Sequence, residues 1–135
     1  MKTFILFLAL SLNVFTEANC PLEFSSENLC AELTWVDGPY LNEESTFEVR
    51  FWHKFNPGKL VSPQNEVEMY SWMIMDNGHS HGGPAISWTE ESEGLFLVED
   101  ARFFMMGMKG YWNIVIRTLD ESGSEIQKKM VRVQF

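Results

Sequence analysis

The chain has 135 residues, 45% of them hydrophobic and 14% aromatic, which is enough apolar material for a packed core. Nineteen acidic against ten basic side chains give a formal net charge of −9, a field that repels a phosphate backbone and excludes nucleic acid as a partner. No linker, internal repeat or low-complexity tract divides the chain, so one domain is expected.

Lys2 precedes an apolar run from Phe4 to Leu12, and Thr16 and Ala18 place small residues three and one positions before a cut after Ala18. That is the pattern of a cleavable export signal over residues 1–18, leaving residues 19–135 as the mature domain. The run is shorter than the ~20 residues a membrane-spanning helix needs, which argues against an uncleaved anchor. A lipid-modified Cys20 would need a small or apolar run before it, and Glu17-Ala18-Asn19 supplies none. The expected destination is periplasmic or secreted, with no membrane span in the mature domain. Cys20 and Cys30 are the only cysteines, and two such neighbours in an oxidising compartment are expected to form a disulfide. Closing so short a loop stabilises a domain by ~2–3 kcal/mol.

The body reads as strands in chain order. Ala31–Val36 is the first, and Ser45–Phe55 the clearest, because Phe47, Val49, Phe51, His53 and Phe55 alternate with mostly polar neighbours. Further strand-like runs are Val67–Met75, Gly94–Val98, Ala101–Met105, Tyr111–Leu119 and Ile126–Phe135. Turns are expected at Asp37-Gly38-Pro39, Asn56-Pro57-Gly58, Asp76-Asn77-Gly78 and Glu121-Ser122-Gly123. No segment sustains a helical period. About seven short strands punctuated in this way predict an all-β fold, an antiparallel immunoglobulin-like β-sandwich. Phe47, Val49, Phe51, Trp112, Ile114 and Ile116 are its expected core.

Two segments carry chemistry. Met73-Ile74-Met75 runs into Asp76-Asn77-Gly78-His79-Ser80-His81, which holds two of the three histidines. Later, Met105-Met106-Gly107-Met108 again puts thioethers at a strand–loop junction, so five of the eight methionines lie in these two segments. Met73 and Met105, inside predicted strands, read as flexible core filler. Met75, His79, His81, Met106 and Met108 read as ligands. Soft, neutral thioethers with imidazoles select copper(I) over calcium or magnesium. Outside the cytoplasm they also survive where a thiolate would oxidise to a disulfide. A blue-copper centre needs a coordinating thiolate, and both cysteines are expected to be paired.

Catalytic signatures are missing: there is no G-x-S-x-G elbow, no HExxH and no evident acid/base carboxylate pair, so an enzyme is not expected. His53, on the apolar face of its strand, reads as a buried, hydrogen-bonded residue and not a ligand.

Met73-Ile74-Met75-Asp76-Asn77-Gly78-His79, followed about thirty residues later by Phe104-x-Met106 and Met108-x-Gly110-x-Trp112, resembles the YtkA/FixH-like domains. The resemblance covers residues 45–120. It implies an immunoglobulin-like sandwich outside the cytoplasmic membrane, with a role in copper handling or oxidase assembly. Met75, His79 and Met108 match the candidate ligand positions of that family. The chain departs from the family pattern in lacking a proline beside Met75 and in adding His81 and Met106. The expected function is a copper(I) carrier that delivers its ion to a copper-acceptor protein or a membrane complex. The alternative is a metal-free sandwich module that binds a protein partner.

Overall fold

The computed structural model describes residues 19–105, 107 and 109–135; the export signal expected over residues 1–18 lies outside them. The described residues form ten strands: β1 Leu22–Phe24, β2 Leu29–Asp37, β3 Glu44–His53, β4 Asn56–Leu60, β5 Glu66–Met75, β6 Ser80–Gly82, β7 Thr89–Ser92, β8 Leu95–Arg102, β9 Gly110–Leu119 and β10 Glu125–Arg132. A single 3-10 turn, Ser25–Glu27, joins β1 to β2. One sheet runs β1-β2-β3-β8-β7, with β4 also paired to β3, and the other runs β10-β9-β5-β6; every pairing is antiparallel. The series β2-β3-β8-β7 against β10-β9-β5 is the four-plus-three strand order of an immunoglobulin-like sandwich. The remaining strands, β1, β4 and β6, are extensions of three to five residues.

Alternation fixes which side chains fill the space between the sheets. Phe47, Val49 and Phe51 of β3 and Ile114 and Ile116 of β9 are fully buried, and Trp112 is nearly so, as their spacing predicted. Met73 joins them at 0% exposure, and Met105 packs half-buried against the same cluster, both as core filler. Aromatic rings tie the layers together: Trp35 meets Phe47 and Phe103 edge-on at 5.3 and 5.9 Å, and Phe103 meets Trp112 at 5.8 Å. Burying each such side chain contributes ~1.5–3 kcal/mol. Cys20 and Cys30 form the expected disulfide, which ties the start of the domain to β2.

Three local expectations are corrected. The strand count is ten, because β1, β4, β6 and β7 are short and carry no alternation of their own, while the two runs 94–98 and 101–105 are one strand. Glu99 and Asp100 do not break that strand. The Asp100 carboxylate accepts hydrogen bonds from the backbone N–H and hydroxyl of Ser87, so its charge is satisfied without leaving the ladder. Asn56-Pro57-Gly58 lies in β4, and the chain reverses at Lys54-Phe55 instead. Pro57 is tolerated there because β4 pairs with β3 alone, through only two rungs and a bulge. Phe55 therefore sits on a hairpin tip, 76% exposed. His53, at the last rung of β3, is half-buried, and its Nδ1 accepts the N–H of Phe55 at 3.3 Å.

The β9–β10 turn falls where expected. Asp120 accepts from the Ser122 hydroxyl at 2.6 Å and from the Ser122 and Ser124 N–H groups at 2.9 Å. These donors, the Ser122 hydroxyl foremost, hold the Asp120 carboxyl below the ordinary aspartate range. Because the folded-state value is the lower one, the stability this carboxylate contributes is complete above the unfolded value. It is lost as pH falls through the folded value. An NMR titration should place the Asp120 midpoint below that of an unfolded aspartate, and an equal or higher midpoint would contradict the turn geometry.

Candidate metal centre

The methionine–histidine segments occupy one end of the β10-β9-β5-β6 sheet. At the end of β5 the Met75 N–H donates to the His79 carbonyl at 2.8 Å, and the Gly78 N–H donates to the Met75 carbonyl at 3.0 Å. Asp76-Asn77-Gly78 thus forms a three-residue hairpin loop with its glycine in the left-handed region at φ +85°. The Asn77 side chain steadies it by accepting the His79 N–H at 3.0 Å. Beyond the loop, Ser80 pairs with Ile74 and His81 with Met73, so His81 belongs to a strand and not to a free loop.

Register decides which face these residues share. Met73, Met75, His79 and His81 occupy facing positions of the hairpin, on the side where Met73 enters the core. Met75 and His81 are half-buried and His79 is exposed. The His81 ring stands edge-on to the Trp112 indole, with centroids 6.0 Å apart. Its Nδ1 lies 2.9 Å from the Gly82 carbonyl oxygen. A carbonyl can only accept, so the contact is a hydrogen bond in the tautomer with the proton on Nδ1, the one whose Nε2 carries the lone pair a metal needs.

The second segment is drawn to the same place from thirty residues away. On the side of β5 opposite the hairpin, Met75 pairs with Gly110, the first residue of β9. The Asp76 N–H donates to the Lys109 carbonyl at 3.0 Å, and the Trp112 indole N–H donates to the Phe104 carbonyl at 3.1 Å. The connection between β8 and β9 is therefore held next to the hairpin at both of its ends. Met106 and Met108, the two ligand candidates on it, lie outside the described residues. Gly107 between them has φ +71°, and its N–H donates to the Met105 carbonyl at 3.0 Å. Met75, Asp76, Asn77 and Lys109 line a shallow depression where the two segments meet.

Gly110 is the residue that permits this approach. A Cβ there would fall on the Ile74 carbonyl oxygen and within 2.9 Å of the Met75 Cα. Sequence reasoning found the glycine as part of a motif but missed its packing role, and it missed the Trp112 indole as a clamp on Phe104. No family model, curated protein or solved structure matches the chain.

The donor set fits a soft ion better than a hard one. Among the described residues no three His, Cys, Asp or Glu side chains form a cluster able to hold a metal. The set at this end pairs a thioether, Met75, with two imidazoles, a combination suited to copper(I). The cysteines are unavailable as ligands: they are bonded to each other, and Cys30 lies on a rung with Trp52, at the opposite end of the sandwich.

Proposed function

We propose that the protein is an exported copper(I) carrier in which Met75, His79 and Met108 bind the ion and His81 or Met106 completes the shell. The observation that carries this reading is the register of β5. It sets Met75 beside His79 on one side and beside Gly110, the start of the second methionine segment's strand, on the other. The contact of His81 Nδ1 with the Gly82 carbonyl supports it further. The motifs shared with YtkA/FixH-like domains point the same way, and the disulfide suits an oxidising compartment. Neutral ligands at an exposed strand end can be exchanged one at a time, which is what delivery to an acceptor protein or a membrane complex requires.

The test is a copper(I) titration against a chromophoric chelator, using ascorbate so that copper stays reduced and the disulfide stays closed. One ion per chain is expected. Loss of a residue that merely supports a ligand costs metal affinity ~10–100-fold, so Met75→Ala and Met108→Ala should each cost at least that much. Replacing His53, which lies at the far end of the sandwich, should leave affinity unchanged. Equal affinity in the wild type and a folded Met75/His79/Met108 triple alanine variant would end the copper reading in favour of a partner-binding module.

A further inference from the structure

Beside the methionine segment lies a feature that the copper reading does not use. A cleft of about 430 Å³ opens among Leu41, Met105, Tyr111, Arg132, Val133 and Phe135, a size within the range of small-ligand sites. The Arg132 guanidinium carbon stands 4.1 Å from the centroid of the Tyr111 ring. Stacking of this kind orients the guanidinium plane and leaves its N–H edges free to donate.

The four arginines of the chain are not equivalent. Arg50, Arg102 and Arg117 each reach a carboxylate, at 3.1, 2.9 and 2.6 Å. Among the described residues no carboxylate pairs with Arg132, although the chain holds nineteen acidic side chains. Among the described residues no Asp or Glu side chain lines the cleft either. A cation that no described carboxylate pairs with, stacked on an aromatic ring and bordered by apolar side chains, offers one kind of complement. It suits a planar anion with a short hydrocarbon body.

We propose that this cleft binds a small amphipathic carboxylate. The carboxylate accepts two N–H bonds from the edge of the Arg132 guanidinium, the bidentate geometry that this group favours. The hydrocarbon part lies against Leu41, Met105 and Tyr111.

Amide NMR of the metal-free protein at physiological salt tests this independently of any copper site, with 3-phenylpropionate as the probe. Saturable shifts centred on Tyr111, Arg132 and Val133 are expected, with a dissociation constant on the order of 1 mM. The neutral 3-phenylpropanamide should bind at least ~10-fold more weakly, because the charge-assisted pair is lost. Arg132→Gln should weaken the acid to the same extent, and Arg102→Gln should not. Leu41→Glu, at a position 43% exposed and so tolerant of change, should also abolish binding by placing a like charge in the cleft. Equal binding of acid and amide, an unaffected Arg132→Gln protein, shifts scattered away from the cleft, or no shifts at several millimolar would each overturn the proposal.

Discussion

Phe51→Ala should lower the unfolding free energy by ~3–5 kcal/mol, the usual cost of deleting a fully buried aromatic ring. Phe51 is 0% exposed and sits between Phe24 of β1 and Phe96 of β8, with ring centroids 5.8 and 5.5 Å away. Truncation would strip both contacts and leave a cavity that the sheet backbone on either side cannot fill. Urea denaturation followed by tryptophan fluorescence measures it. Phe55→Ala provides the contrast within the same run of sequence. Its ring is 76% exposed, so a change within ~0.5 kcal/mol is expected. A result for Phe51 in that same small range would mean that the inner face of β3 has been misassigned.

Gly110→Ala should destabilise by ~3 kcal/mol, the upper part of the range for overpacking. The cause is not backbone torsion, since Gly110 is not among the positive-φ glycines. The added methyl would meet the carbonyl of Ile74 and the Cα of Met75, which are main-chain atoms of the paired strand and cannot rotate aside. Relief requires the start of β9 to part from the end of β5, which also strains the bond from the Asp76 N–H to the Lys109 carbonyl. The variant should therefore lose copper(I) affinity as well as stability. Gly123→Ala serves as a control: an added methyl there would meet nothing within 4 Å, so its cost should come from the left-handed backbone alone, without an effect on the ion. A Gly110→Ala protein with wild-type stability would show that the two strands are not as close as described.

Much of the sandwich could be read from the residues, because β3, β5 and β9 bury one face, or nearly all of their length, against a common core. Phe47, Val49 and Phe51 announce that face by alternation alone. The short strands could not be read in this way. Ser80–Gly82 and Asn56–Leu60 are strands because a neighbour offers a free edge, and that offer is a property of the partner's backbone. Phe55 continued the alternation of β3 by residue type, yet the chain turns one residue earlier. For the candidate site, the presence of Met75, His79 and His81 in one short segment was legible. What brings the segments together was not. The Asp76–Lys109 and Trp112–Phe104 hydrogen bonds end on carbonyl oxygens, which every residue possesses and no side-chain pattern marks.

The disulfide and Met75 stand at opposite ends of strands about ten residues long, a separation on the order of 30 Å. On the copper(I) reading proposed above, this spacing keeps the cysteines away from the methionine end. A chain with Cys20 and Cys30 reduced carries two thiols, and thiolate sulfur outcompetes thioether for a soft ion. Oxidation of the pair removes the rival and leaves the methionine end as the remaining soft address. On the copper reading proposed above, closure of this bond removes two competing thiols in addition to bracing the fold.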